Sequence, residues 1–277
     1  MEEYFHATAM EPFIPPSRWE SIPRRCPQLI DRILEHLDEH GVRATFFVLG
    51  WLAEKEPAMV RAIANGGHEI ASHGWSHRRV THLEPETFRE EVRRSRSLLE
   101  DLSGGPVVGF RAPSFSILPG YEWAFDVLIE EGYRYDSSVF PVRVHPTYGY
   151  PNASRDPYVL DRPSGRLAEV PPATLRVAGV NLPSAGGAYL RFFPVALVRA
   201  ALVSAGRRDA PGTIYVHPWE FDREMPPTPG PWVTRLRMNG GIGQMERRVG
   251  SLTKRFRFLP MRETAERLLL NTEAGPV

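Results

Sequence analysis

The sequence predicts an α/β protein built on a parallel sheet or barrel, and two patterns carry that prediction. Short apolar runs rich in β-branched and aromatic residues alternate with segments whose apolar residues recur every three or four positions. Glycines and prolines punctuate the alternation, as successive βα units require. From Pro27, the residues Leu29, Ile30, Ile33, Leu34 and Leu37 form one apolar stripe that Gly41 stops, which predicts a helix. Residues 42–49, bounded by Gly41 and Gly50, contain Ala-Thr-Phe-Phe-Val-Leu and predict a buried parallel strand. The pattern then repeats, with a helix over 57–64 ended by Gly66 and Gly67, a strand over 68–72 and a longer helix over 85–102. After the turn Gly104-Gly105-Pro106 come a strand over 107–111, a helix over 121–131 and a strand over 133–139. Residues 141–172 lose periodicity among Pro, Gly, Asn, Asp and Arg, so an irregular excursion is expected there. A helix over 194–203, strands over 212–216 and 256–259, an irregular loop over 223–231 and a closing helix over 261–270 complete the reading.

The chain has 277 residues, 34 Lys plus Arg against 33 Asp plus Glu, and 42% hydrophobic residues, a balance typical of one large globular core. A single domain over 1–277 is expected, with a C-terminal extension. The interleaved charges, net +1, give no basic field for a phosphate backbone, which argues against a nucleic-acid partner. No run approaches the roughly 18 apolar residues of a spanning helix. The start Met1-Glu2-Glu3 lacks the basic end and apolar run of a signal peptide, so a cytoplasmic location without a membrane span is expected. The lone Cys26 excludes an internal disulfide and reads as a packing residue. Oligomeric state is not legible.

Two imidazoles, His73 and His77, stand four residues apart directly after a predicted strand. If the segment turns helically, both face one side and can share a metal ion; otherwise they are two exposed members of a loop that also has His68 and His82 nearby. The zincin pattern fails, because Ser72 stands where its second histidine belongs. A third ligand would be a carboxylate, and Glu2 or Glu3 are candidates against a solvated terminus. Arg111, Asp136 and His217 each fall at the end of a predicted strand, where parallel α/β proteins build sites. Asp136 could grip the Arg111 guanidinium in a bidentate pair, catalytic or merely structural. His217, alone, is equally readable as a packed residue.

Taken in order, Ala44-Thr45-Phe46-Phe47-Val48-Leu49-Gly50, Gly67-His68-Glu69-Ile70-Ala71-Ser72-His73 with His77, Arg111-Ala112-Pro113-Ser114-Phe115 and His217 resemble the NodB-homology polysaccharide deacetylases of carbohydrate esterase family 4. The resemblance covers nearly the whole chain. Tyr135-Asp136-Ser137-Ser138-Val139-Phe140-Pro141, Gly186-Gly187-Ala188-Tyr189 and His217-Pro218-Trp219-Glu220 look like the bacterial branch found with exopolysaccharide and exosortase (PEP-CTERM) systems.

The resemblance implies a distorted (β/α) barrel and a divalent metal, commonly zinc, on one carboxylate and two histidines. His73 and His77 match those histidines, Glu2 the carboxylate. It further implies that His217 protonates the leaving amine, that Arg111 positions a base Asp, and that Asp136 supports the group. An oxyanion-binding backbone N–H would fall near Phe115. Phe115, Pro113, Trp219 and Tyr189 are the expected substrate-facing residues, and Trp75 a further stacking candidate. The implied substrate is an N-acetylated polysaccharide or its precursor. One departure stands out: the branch's first motif reads Asp-Val-Glu-Asp-Tyr-Phe-His, whereas this chain reads Met1-Glu2-Glu3-Tyr4-Phe5-His6. The base Asp would precede Met1, and the first strand that carries the motif is missing or truncated. A start assigned too late is the favoured explanation, and a homologue lacking its base the other. A carbohydrate-binding homologue and a small-amide hydrolase on the same scaffold stand as rivals.

Overall fold

The apolar stripe after residue 26 forms α1 (Cys26–Glu39), with Pro27 in the first turn, where a missing N–H leaves no bond unmade, and Leu29, Ile30 and Ile33 buried. The computed structural model describes residues 1–143, 145 and 147–273. Then follow β1 (Thr45–Val48), α2 (Gly50–Lys55), α3 (Pro57–Asn65), β2 (Glu69–Ser72), α4 (Pro85–Ser103), β3 (Gly109–Phe110), α5 (Trp123–Glu130) and β4 (Tyr135–Asp136). Gly104 closes α4 with a left-handed φ of 69°, a conformation free of Cβ strain only for glycine. The predicted βα alternation is therefore present, with shorter strands than expected and one unforeseen helix, α2.

Four strands run parallel in the order β1-β2-β3-β4, and β6 (Gly165–Glu169) continues the parallel set beside β4, with β5 (Tyr158–Arg162) antiparallel at the edge. Helices α3, α4 and α5 pack over the sheet. Val48, Ile70, Phe110, Val92, Leu99 and Leu128 lie buried in one cluster between them. Each such side chain stabilises the fold by about 1.5–3 kcal/mol. The outer edge of β1 is met by Met1, whose carbonyl accepts from the Leu49 N–H at 3.1 Å while its own nitrogen donates to Phe47, the bond pattern of a parallel bridge.

The expected irregular excursion over 141–172 is corrected by the β5–β6 hairpin, which turns through Pro163 and Ser164. Its exposed strand ends carry Asp161, Arg162 and Arg166, which mask the buried Leu167 and Ala168 in the sequence pattern. Val144 and Pro146 of that segment lie outside the described residues. Beyond it come a second hairpin, β7 (Thr174–Val177) with β8 (Val180–Pro183), then α6 (Gly187–Phe192) and α7 (Val195–Gly206). The strand expected over 212–216 is reduced to single parallel bridges, Thr213 with Pro172 and Tyr215 with Gly186. No strand forms over 256–259; the chain there runs extended into α10 (Met261–Glu273). Two helices unforeseen in the sequence, α8 (Trp232–Asn239) and α9 (Met245–Thr253), follow the proline-rich loop. No helix among the described residues is long and apolar enough to cross a membrane.

Candidate metal and catalytic site

Parallel pairing fixes a row of residues at the carboxyl ends of the strands. The registers Ser72↔Phe110, Phe110↔Asp136 and Asp136↔Glu169 align one row across the sheet. The next residue of each strand is held by a ladder bond: His73 N–H to Val48, Arg111 N–H to Ser72 and Ser137 N–H to Phe110, at 2.9–3.0 Å. His73 and Arg111 thus become neighbours by register, and His73 Nδ1 donates to the Arg111 carbonyl at 2.6 Å.

The segment between His73 and His77 does not turn helically, which corrects the simplest basis for their spacing. Gly74 and His77 both adopt left-handed φ values, 76° and 57°. For a histidine that conformation stores strain of about 1–3 kcal/mol, so the surroundings must hold it. They do so from two sides: Gly50 and Trp51 donate their N–H groups to the Gly74 and Trp75 carbonyls, and the Glu91 carboxylate of α4 accepts from the Ser76 N–H and hydroxyl. Glu91 is a supporting residue that the sequence did not reveal.

Glu2 completes the cluster. One carboxylate oxygen lies 2.6 Å from His77 Nε2 and 3.3 Å from His73 Nε2, and the other is 3.9 Å from His217 Nε2. Glu3 points elsewhere, accepting from the N–H groups of Arg25 and Cys26 at 2.8 Å and so capping α1. Cys26 is buried and donates to the Glu2 carbonyl, in keeping with a packing role.

The electrostatics of this cluster call for a cation. Burial, opposed in part by Glu2, lowers the His73 imidazole to about 4, so it is neutral at pH 7. Its Nδ1 is committed as a donor, which leaves a lone pair on Nε2 facing Glu2. Burial raises the Glu2 carboxyl, but the charge of His77 and the two imidazoles outweigh it and hold it well below the usual range. Two acceptors thus face each other at 3.3 Å inside the protein. The ligand atoms of Glu2, His73 and His77 lie within 4.8 Å of one another, a donor set that fits zinc or a similar divalent ion. His6 packs against His77, ring centroids 6.1 Å apart, with its Nε2 buried and unpartnered; the sequence did not single it out as a site residue.

Arg111 is buried, and desolvation lowers its guanidinium to about 10, leaving it charged at neutral pH. The bidentate pair with Asp136 does not form. Instead Arg111 Nε donates to the Ser137 carbonyl at 3.1 Å and a terminal nitrogen to the Ser137 hydroxyl at 2.7 Å, while its plane lies 4.3 Å from the Phe47 ring centroid. Asp136 is turned away because its carboxylate accepts from the Ser138 N–H and hydroxyl, at 2.9 and 2.6 Å. Across the register stands Glu169, also fully buried, whose carboxyl is driven well above its usual range by burial and by Asp136.

His217 enters from the later half of the chain and faces the cluster. Its Nδ1 lies 3.3 Å from the Glu220 carboxylate, which also accepts from the His217 N–H at 2.9 Å. Burial raises Glu220, yet its bond to His217 and the charge of Arg191 hold its carboxyl below the ordinary range. Arg191 meets the other Glu220 oxygen at 2.7 Å and donates to the carbonyls of Arg237, Met238 and Gly240, locking the carboxylate in place. Trp219 stacks on His217 at 5.0 Å between centroids and is only 5% exposed, so it braces the imidazole instead of offering a platform.

Glu2, His73, His77, Arg111, His217 and Trp219 line one part of a cavity of about 1290 Å³ that also reaches Leu37 and Phe258. Phe115, Tyr148, Tyr189 and Tyr215 form an aromatic wall, with the Tyr148 and Tyr189 hydroxyls 3.2 Å apart. The Phe115 N–H donates to Ala112 at 3.1 Å, so it is already engaged; Ser114 and Phe115 both take left-handed φ values near the cluster. Pro113 is buried behind this turn, with Gly74 as a neighbour. Trp75 is covered by the Arg94 guanidinium at 3.4 Å, which removes it as a stacking surface.

Comparison with known proteins bears on both halves of this arrangement. The family model "Polysaccharide deacetylase" matches residues 19–123, and a domain of unknown function, DUF3473, matches residues 137–266. A Bacillus cereus peptidoglycan-N-acetylglucosamine deacetylase is 37% identical over 94 residues, 34% of this chain and 34% of that protein. A Rhizobium leguminosarum bv. trifolii chitooligosaccharide deacetylase is 38% identical over 69 residues, 25% of this chain and 32% of that protein. The chain thus spans about a third of the length of these curated relatives. A crystal structure described as a polysaccharide deacetylase from Mycobacterium smegmatis covers 88% of this chain and 78% of its own, with TM-score 0.62 and 24% identity, which supports the α/β fold.

Proposed function

We propose, from the polysaccharide deacetylase family that the family model and the relatives support for this chain, that it is a metal-dependent hydrolase removing N-acetyl groups from hexosamine units of an exopolysaccharide or its precursor. The observation that carries the reading is the meeting of Glu2, His73 and His77 in one buried cluster, with His217 facing it across the cleft. The glycan deacetylases among the relatives support an N-acetylated glycan as substrate. The motifs at 135–141, 186–189 and 217–220 support the exopolysaccharide branch. Because the cleft draws His73 and Arg111 from one half and His217 from the other, a single domain over 1–277 is part of the proposal.

Glu2, His73 and His77 would hold the divalent ion, with zinc the fitting choice. Such an ion polarises an amide carbonyl and brings the pKa of water towards ~7. The chain's own residues supply the rest. Water forms the new C–O bond at the acetyl carbon and gives up its proton to solvent, and His217 gives its Nε2 proton to the amine nitrogen as the C–N bond breaks, so that acetate and a free amine leave. Glu220, ionised and fixed by Arg191, holds the ring so that Nε2 points inward. Arg111 orients His73 through its carbonyl and places a fixed positive charge under the site. Asp136 holds the Ser138 N–H and hydroxyl, fixing the turn beside Arg111. Tyr189 offers a flat surface to a sugar ring, and the buried Phe115 backs the aromatic wall beside it.

The test is acetate release from N-acetylglucosamine oligomers by the zinc-loaded chain, alone and extended through the upstream in-frame codons. Release by either form, lost in His217→Ala, supports the reading. Zinc and glycan binding without acetate release in both forms would favour a carbohydrate-binding protein.

A further inference from the structure

A second group of metal-type donors lies on α1, away from the strand ends. His36 and Glu39 lie in the last turn of that helix and His40 is the residue that caps it. Their ligand atoms lie within 4.8 Å of one another. The two imidazole rings are 4.6 Å apart between centroids. His40 Nδ1 is engaged with the His36 carbonyl at 2.8 Å, which leaves its Nε2 as the open nitrogen. His36 Nε2 is shielded from solvent and has no hydrogen-bond partner, an arrangement that ordinarily carries a cost.

The facing helix explains why both nitrogens are open. Gly250 of α9 is buried, and a Cβ placed there would come within 3.3 Å of His40 Nε2 and 3.6 Å of His36 Nε2. Both nitrogens therefore border one gap, kept clear by the missing side chain. Glu246 and Lys254 stand at either end of α9, Glu246 being paired with Arg32 and Arg223.

We propose that His36, Glu39 and His40 form a second divalent-cation site, suited to zinc, in the gap that Gly250 leaves between α1 and α9. Two imidazoles and one carboxylate are the borderline donor set that zinc prefers over magnesium or calcium. A cation there would join the end of α1 to α9 and so tie two parts of the chain far apart in sequence.

The test counts zinc on the full chain without a histidine tag, dialysed against zinc with a competing chelator at pH 7.5, folding being checked by circular dichroism. The wild type should retain two zinc ions, His36→Gln and His40→Gln one each, and His73→Ala one. Gly250→Ala, which favours the helix, should weaken the second ion about tenfold without lowering thermal stability. A zinc count that His36→Gln and His40→Gln both leave at the wild-type value overturns the proposal. Because His73→Ala reports on the other cluster alone, failure of this site and failure of the deacetylase reading are told apart.

Discussion

The chain sets two histidines four residues apart beside a glutamate in two places, and the supports differ. At His73 and His77 the imidazoles sit beyond a strand end, buried, with Nδ1 of His73 bonded to Arg111 and His77 forced into a left-handed conformation that Glu91 and α2 brace. At His36 and His40 they sit on one half-exposed helix, and the bond that orients His40 comes from its own backbone. Equal spacing therefore gives a preorganised pocket in one case and an adaptable surface pair in the other. Only the first faces His217, although His36 borders the same cavity.

The sharpest way to break the comparison is His73→Ala against His40→Gln. The first should remove the zinc of the buried cluster and acetate release together; the second should leave turnover within about twofold. Equal losses in both, measured by zinc content and acetate assay, would erase the distinction. Next in size, His217→Ala should keep the zinc of the buried cluster while kcat falls by about 10²–10⁴. Glu220→Gln should lower kcat by about tenfold, with KM little changed.

The smallest effect concerns stability. Glu169 has a folded-state pKa raised by burial and by Asp136, so the native state binds a proton that the unfolded chain releases. Its contribution is present at acid pH and declines as pH rises above the ordinary glutamate value towards the raised one. Glu169→Gln should flatten that decline, raising Tm at pH 8 by a few °C relative to wild type while leaving pH 4 nearly unchanged. A thermal melt series in both proteins checks it.

Much of this was readable in the sequence, and what was not has physical causes. The βα units up to residue 136 announced themselves because their strands are continuous apolar runs and their helices have one clean stripe, as in α1. The β5–β6 hairpin did not, since its edge strand is polar on the outside and its turn carries Pro163. Helices α8 and α9 hid because α8 exposes Trp232, Val233 and Leu236, so its apolar residues do not mark the buried side. Of the site, His73, His77, Arg111 and His217 were visible as strand-end residues. The resemblance matched Glu2, while the residues alone left Glu2 and Glu3 open, because that choice depends on which carboxylate caps α1. Glu220 and Arg191 could have been sought as a carboxylate three residues after His217 and a buried cation to match it. Glu91, sixteen residues from Trp75 in sequence, left no such signal.

A crystal of the zinc-soaked chain, with anomalous data collected at the zinc edge, tests the central claim most directly. The account predicts a strong peak about 2.0–2.2 Å from a Glu2 oxygen and from Nε2 of both His73 and His77. No peak at that position, or one confined to His36 and His40, would contradict it.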